Sequence, residues 1–304
     1  MQTSSNTNQD NHILKISIFG GVLFSVLGII WGIIANSQMI IFDGLYSFVS
    51  LGLSFLSLFA YSFTQKVDTE RFHFGKGIIE PLVIMFKASA IIAMCLFALS
   101  SAVIDLFKGG REVALGQAAI YALIATGLCI LFYWSMKRKE GSSEFVKAEA
   151  AQWLMDTLLS AAVLVGFVIA LILHASPFAY ITPYIDPFMV LAVSVYFLKV
   201  PAQMFVRNAK EILMMAPPGN IQTHVEKVVQ QIKDKYRIEE SFVRISKVGK
   251  TVFIEIDFVL NEKTVVQTVD EFDTVREEMD RNLQLDGYDE WLTLSFTKDR
   301  KWAL

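Results

Sequence analysis

The sequence has few charged residues, cysteines and histidines for its length. Of 304 residues, 19% are charged, 54% are hydrophobic, two are cysteine and four are histidine. This balance excludes an ordinary soluble enzyme. Cys95 and Cys129 both lie in apolar runs, so we interpret them as small hydrophobic residues rather than a disulfide or a thiolate metal site. No glycine-rich phosphate loop precedes a helix, which leaves ATP-driven transport by this chain without support.

The mean hydropathy of the whole chain is +0.46. Nearly all the long apolar runs lie in its first two thirds. A membrane span needs about 20 mostly apolar residues, and six windows satisfy that length. They are Ile13–Ala35, Met39–Phe63, Ile78–Phe107, Leu115–Met136, Ala148–Leu173 and Tyr184–Val206. We therefore predict an all-α transmembrane bundle of six helices over residues 13–207, preceded by a disordered polar tail over residues 1–12, which lacks the features of a signal peptide.

Basic residues are concentrated in alternate links between the predicted spans. Lysine and arginine follow the second, fourth and sixth spans, whereas only Lys108 and Arg111 lie on the other side. Because such residues favour the cytoplasmic side, both termini are expected to be cytoplasmic in a multi-pass protein of the inner membrane.

Residues 208–304 resemble soluble protein. A helical pattern around Ile221 to Ile232 is followed by a hairpin that turns at Gly249 and Lys250, a second helix near Thr268 to Leu283 and the strand "EWLTLSF". The order αββαβ predicts a small cytosolic, ferredoxin-like α+β domain. It contains one histidine, His224, and no cysteine, which disfavours a zinc-bridged dimer and leaves homodimerisation as its expected role.

Two aspartates lie within predicted spans, where a charge costs a few kcal/mol or more. Asp43 lies roughly 8 Å below the outer end of the second span, and Asp156 lies roughly 13 Å from the inner end of the fifth. Since these depths overlap within a core about 30 Å thick, the two carboxylates are expected to meet. The alternative for Asp43 is hydration in the headgroup zone.

Neutral polar residues accompany each aspartate at helical spacing. Ser47 follows Asp43 by four residues and Gln152 precedes Asp156 by four, so each pair shares a helix face. Four oxygen-bearing side chains with two negative charges form a plausible site for a divalent cation, for which protons would compete. For Ser47 and Gln152 the alternative is hydrogen bonding between helices.

The segments "SQMIIFDGLYSFVS", "FHFGKGIIEPL", "EAAQWLMD" and "YIDPFMVLAVSVYFL", with six spans and the αββαβ tail, resemble the cation diffusion facilitator family. The resemblance covers the chain after its first dozen residues. It implies a homodimeric antiporter of divalent metal and protons whose metal lies between Asp-x-x-x-Asp of the second span and His-x-x-x-Asp of the fifth. Those positions are Asp43, Ser47, Gln152 and Asp156 here.

Two of these four positions depart from the family pattern. Without histidine, the all-oxygen set favours harder ions such as Mn²⁺, Fe²⁺ or Mg²⁺ over Zn²⁺, and leaves a monovalent cation open. Coupling to protons would then use the two aspartates, since histidine is the side chain that titrates nearest neutral pH.

Lys87 is a basic residue about 13 Å into the third span. One interpretation is that its long side chain extends toward the inner surface. The other is that its ammonium pairs with Asp43 or Asp156 as a tethered cation, with Glu80 seven residues earlier on nearly the same face.

Other acidic residues have structural or peripheral interpretations. Asp186 precedes Pro187 at the start of the sixth span and is expected to act as an N-terminal helix charge. Asp68, Glu70 and His73 lie in the loop after the second span, where some family members bind a further metal, although loop carboxylates are usually solvated. Glu149 is a candidate for an inner vestibule.

These patterns predict a secondary active transporter, not an enzyme, that exports a divalent cation (Mn, Fe, Mg or Zn) in exchange for protons. We expect the lipid bilayer, protons and the metal as partners, a homodimer, no permanently bound cofactor and no nucleic acid. Two alternatives stay open: a transporter of a monovalent or non-metal cation that uses Lys87, and a non-transporting membrane scaffold or sensor.

Overall fold

The computed structural model describes the backbone of residues 3–304 except 65, 67, 69, 139–143 and 218. Side chains are described from Ile18 onward, and those of residues 58, 61 and 144–152 are further exceptions.

Six long helices form the first part of the described chain. They are α1 (Thr3–Ala35), α2 (Gln38–Thr64), α3 (Ile79–Phe107), α4 (Leu115–Lys137), α5 (Glu144–His174) and α6 (Ile185–Ile212). All six are long and apolar enough to cross a membrane, as the sequence predicts. The buried cysteines Cys95 and Cys129 are both free thiols, in agreement with their interpretation as hydrophobic residues.

The structure differs from the predicted spans at two places. Where the sequence predicts a disordered tail over residues 1–12, helix α1 continues back to Thr3. A 3₁₀ turn, Ala179–Tyr184, which contains Pro183, precedes α6.

Glycines bring α1 and α2 into close contact. A Cβ atom built on Gly44 would lie 2.7 Å from the backbone nitrogen of Ile29, and one built on Gly32 would lie 2.7 Å from that of Ile41. Gly28 and Gly32 form a GxxxG pattern, which membrane helices use for close backbone approach. A larger residue at these positions would push the two helices apart.

The loops at one end of the bundle are joined by hydrogen bonds. The amide of Ala114 donates to the carbonyl of Ala35 at 3.0 Å, and that of Arg111 donates to the carbonyl of Pro183 at 2.7 Å. The side chain of Asn36 donates to the carbonyl of Glu112 at 2.8 Å. The α1–α2 turn, the α3–α4 loop and the turn before α6 are therefore held together.

The tail forms two helices and a three-stranded sheet. In chain order these are α7 (Gly219–Tyr236), β1 (Glu240–Val248), β2 (Thr251–Val259), α8 (Val269–Asn282) and β3 (Asp289–Thr297). The sheet order is β1-β2-β3, with β1 antiparallel and β3 parallel to β2. The predicted αββαβ order is confirmed, and so is the hairpin between Val248 and Thr251.

One apolar core holds the tail together. Alternate residues of β2, such as Ile254 and Ile256, are fully buried with Val225 of α7 and Met279 of α8. The helical pattern predicted for α7 is confirmed, since all five of its apolar positions are buried: Ile221, Val225, Val228, Val229 and Ile232.

The chain divides into two compact units. One contains Met1–Ser57 and Lys87–Ala202, and the other contains Leu58–Phe86 and Gln203–Leu304. The proposed domain boundary at residue 208 stays a prediction.

Within the second unit, α6 and the loop after α2 contact the tail sheet. Glu211 of α6 accepts hydrogen bonds from Lys247 Nζ at 2.8 Å and from the Gly249 amide at 3.1 Å. The rings of Phe74 and Trp291 lie 5.7 Å apart. Gly249 occupies the left-handed region with φ +60°, which a hairpin turn needs and which glycine adopts without strain.

Helix α8 begins with a capping box. The Thr268 hydroxyl accepts from the Glu271 amide, and the Glu271 carboxylate accepts from the Thr268 amide at 2.9 Å. The Glu271 carboxylate also accepts from the Gln267 amide, and this hydrogen bond, followed by the one from Thr268, lowers the pKa of Glu271. The stability that the ionised carboxylate contributes is therefore lost as the pH falls through that lowered pKa.

We expect Thr268→Ala to destabilise the first turn of α8 by about 1 kcal/mol, because it leaves the Glu271 amide without a partner. Hydrogen exchange of α8 peptides, measured by mass spectrometry on the whole protein, should become faster. Thr274→Ala, a surface substitution on the same helix, is the control. Equal exchange in both variants would contradict a stabilising cap.

Candidate cation site

The N-terminus of α2 is held by a carboxylate from α6. Asp186 is 2% exposed and accepts from the Ser37 hydroxyl at 2.6 Å, the Gln38 amide at 3.0 Å and the Met39 amide at 3.3 Å. The first amides of a helix lack partners within it, and a negative charge there is favourable. Asp186 lies in the first turn of α6, as expected, but its hydrogen bonds cap α2.

Asp43 lies about one and a half turns into α2 and is 4% exposed. In the part of the chain whose side chains are described, no hydrogen-bond donor contacts its carboxylate, and its neighbours Ile40 and Phe42 are apolar and buried. Burying a carboxylate without a donor is costly unless a cation or a proton neutralises it. The Asp43 carboxylate is therefore a candidate for binding a cation or a proton.

Asp156 of α5 is within electrostatic range of Asp43. It is half-buried and lines a pocket of about 190 Å³, to which four other residues with described side chains contribute: Tyr46, Ser50, Met155 and Phe197. Helices α2, α5 and α6 all contribute to this pocket. Asp43 is not among the residues that line the pocket, so of the two aspartates only Asp156 faces this cavity.

Helix α4 contributes to the surroundings of both aspartates. Cys129 is within electrostatic range of both, and its sulfur lies 3.8 Å from the Ser160 hydroxyl of α5. Tyr121 is in range of Asp43. Helices α2, α4 and α5 therefore all carry groups within electrostatic range of at least one of the two aspartates.

The structure describes one of the two predicted neutral ligands, Ser47, but not the side chain of the other, Gln152. Ser47 is half-buried on α2, but the pocket beside Asp156 is lined by Ser50 rather than by Ser47. The side chains of Gln152 and Glu149 lie outside the described residues, although both positions belong to α5. The four-residue ligand set stays a prediction.

Lys87 donates a hydrogen bond to the Ser57 hydroxyl of α2 at 3.0 Å. Ser57 follows Asp43 by fourteen residues, or about 21 Å along a helix, which is beyond the reach of a lysine side chain from that position. The hypothesis that Lys87 pairs with Asp43 is therefore wrong. Among the ion pairs that the structure describes, none joins Lys87 to Asp156 either.

The remaining candidates lie in the loop after α2 and in the first turn of α3. The carboxylate of Glu80 is exposed and lies near the hairpin turn at Gly249. Asp68 accepts from the Arg71 amide at 3.2 Å, and Glu70 and His73 are exposed. Within the described residues, no group of three or more His, Cys, Asp or Glu side chains could hold a metal, so the loop metal site stays an expectation.

Sequence reasoning missed the other pocket residues. Tyr46 and Ser50 follow Asp43 by three and seven residues, so helical spacing already places them on the face of Asp43. Phe197 gives no such signal, because one aromatic residue in an apolar span is indistinguishable from its neighbours.

Six helices long and apolar enough to cross a membrane and a small α+β tail define the class of this protein, a polytopic membrane protein. Residues 14–213 match the family model described as the cation efflux transmembrane domain. The chain belongs to the cation efflux family, the cation diffusion facilitators, whose members are cation transporters rather than enzymes.

A curated relative is similar over most of the chain. It is "Protein p34" of Rickettsia rickettsii (strain Sheila Smith), which is 20% identical over 254 residues. The alignment covers 79% of this chain and 81% of the relative.

We expect Asp186→Ala to destabilise the protein by about 3 kcal/mol, because it leaves buried donors at the start of α2 unpaired. Asp186→Asn retains one acceptor oxygen and should cost less. Thermal unfolding of the purified protein in detergent measures both. Asp273→Ala, which removes an exposed ion pair with Arg276, is the control with little expected effect. A midpoint for Asp186→Ala equal to that of the control would contradict the capping role.

We expect Lys87→Gln to retain cation flux within about twofold of wild type, since glutamine keeps a donor for Ser57 and the ammonium is far from Asp43. Flux into proteoliposomes is the measurement. Asp156→Asn, assayed in parallel, shows whether the assay detects a damaged site. A Lys87→Gln variant that is as inactive as Asp156→Asn would restore a direct role for the lysine.

Proposed function

We propose that this protein is a secondary active transporter that exports a divalent metal cation from the cytoplasm in exchange for protons. The observation that carries the proposal is the carboxylate of Asp43, buried without a described donor and within range of Asp156. Two carboxylates match the charge of one divalent cation, and the pocket beside Asp156 provides an entry for it.

Both carboxylates act as ligands, with Ser47 and Gln152 as weaker neutral ligands and Ser50 as a further oxygen beside Asp156. An all-oxygen set suits Mn²⁺, Fe²⁺ or Mg²⁺ better than Zn²⁺, which favours nitrogen or sulfur. The cation is the cargo of the transporter and not a resident cofactor.

Exchange follows from competition for the same oxygens. A bound cation requires ionised carboxylates, whereas protons neutralise them and release the cation. When the pocket opens alternately to each side, protons enter as the cation leaves. The concentration of lysine and arginine in alternate links supports cytoplasmic termini and an inner-membrane location, and the tail serves as the dimerisation domain.

The hydrogen bond between Lys87 and Ser57 supports this proposal over a Lys87-dependent carrier of a different cargo, because it holds the ammonium far from Asp43. A non-transporting scaffold would not need a buried aspartate without a donor, because apolar residues fill such a position at lower cost.

We expect proteoliposomes with an imposed proton gradient to move cations against their own gradient, and a cation pulse to move protons in the opposite direction. Dyes for metal and for pH, read together across Mn²⁺, Fe²⁺, Zn²⁺, Co²⁺, Mg²⁺ and Na⁺, measure the exchange. Asp43→Asn and Asp156→Asn should lower flux to that of empty vesicles, because an amide cannot neutralise the cation.

Asp286→Asn, the same substitution on an exposed loop of the tail, is the control and should transport normally. Proton movement without cation flux, or cation flux that ignores the proton gradient, would contradict antiport. Normal flux in both Asp43→Asn and Asp156→Asn would move the site elsewhere.

A further inference from the structure

Tyr121 of α4 has a buried hydroxyl without a partner. The residue is 6% exposed, and within the described part of the chain no group forms a hydrogen bond with this oxygen. Buried tyrosine hydroxyls usually have a partner, since the loss of hydration is otherwise uncompensated. The hydroxyl is therefore available as a donor.

Gly28 of α1 has no side chain, and the Tyr121 hydroxyl therefore lies close to α2. A Cβ atom built on Gly28 would lie 2.7 Å from the Tyr121 hydroxyl and 3.0 Å from the Gly44 Cα. Because both atoms are this near to one point, the hydroxyl lies within about 6 Å of the Gly44 Cα, directly after Asp43. Alanine at position 28 would occupy the space between them.

The ring of Tyr121 is fixed by its neighbours. It packs against Trp31 of α1 with ring centroids 6.2 Å apart. The indole nitrogen of Trp31 in turn donates to the carbonyl of Gln117 on α4 at 3.1 Å. A hydroxyl on a ring held in this way has a defined position, which suits an orienting role.

Asp43 has the complementary requirement. Its carboxylate accepts no hydrogen bond in the described part of the chain, and Tyr121 is within its electrostatic range. Of the other groups in range, Asp156 is itself acidic and the Cys129 thiol contacts Ser160. Different rotamers place the Asp43 carboxylate at different positions, so the Asp43 side chain can turn toward the Tyr121 hydroxyl, whose position is fixed.

We propose that Tyr121 is a positioning residue of the cation site: when Asp43 adopts a rotamer that turns its carboxylate toward α4, the Tyr121 hydroxyl donates a hydrogen bond to it and orients it for the cation. This inference rests on the proposed function, in which Asp43 is a cation ligand. Carboxylates that bind metals are themselves hydrogen-bonded, and removal of such a partner typically costs about 10–100-fold in affinity. Helices α1 and α4 thereby contribute to a site whose ligands lie on α2 and α5.

Tyr121→Phe removes the hydroxyl and keeps the ring. We expect the KM for cation flux to rise about 10–100-fold while the maximal rate stays within about twofold of wild type. Tyr133→Phe is the matched control, since it lies on the same helix and its hydroxyl accepts from Lys137. A wild-type KM for Tyr121→Phe, or a loss confined to the maximal rate, would overturn the inference.

A second measurement does not depend on transport. Thermal unfolding midpoints of Tyr121→Phe, Asp43→Asn and the double variant form a cycle, and direct interaction predicts shifts that are not additive. Additive shifts would overturn the inference. Normal flux in Asp43→Asn would instead refute the assignment of Asp43 as a ligand, whereas inactive Asp43→Asn with a normal KM in Tyr121→Phe refutes only the role of the tyrosine.

Discussion

The carboxylate of Asp186 closes the N-terminal end of α2, although it lies 149 residues beyond its partner Ser37. Three buried donors converge on it, so neither α6 nor α2 can shift at this end without leaving charged or polar groups unpaired. The hydrogen bonds between the neighbouring loops make the same end rigid. Asp43 is little more than one helical turn below, and its depth is consequently set by this anchor rather than by contacts of its own.

Hydropathy and spacing were sufficient to predict the elements. The six spans and the αββαβ tail could be predicted because each uses one unambiguous period, such as the five buried positions of α7. Rise per residue placed Asp43 and Asp156 at overlapping depths, and the structure has them in electrostatic range. Depth is a one-dimensional quantity, which is why it can be calculated for each helix without knowledge of its neighbours.

Rotation and tilt of the helices could not be predicted in this way. Whether Ser47 or Ser50 faces Asp156 depends on how α2 is rotated about its axis relative to α5, which helical spacing within α2 does not specify. To predict that Lys87 contacts Ser57, one must know how far α3 is shifted along its axis relative to α2. The length of the loop between these helices does not determine that shift. Asp186 was expected to act on its own helix, since a contact with α2 has no local signal. The role of Tyr121 similarly depends on another helix, because the space for its hydroxyl exists only where α1 has a glycine, Gly28.

The hydrogen bonds between Glu211 and the β1–β2 turn have a practical consequence for the study of fragments of this protein. A tail fragment that starts after Ile212 would lack the acceptor for Lys247 and Gly249, and it would also lack the ring of Phe74 beside Trp291. Its surface would carry a turn without its acceptor and a Trp291 ring without its aromatic neighbour. Self-association of such a fragment in solution would then report on these newly exposed groups, and not on the assembly of the intact protein.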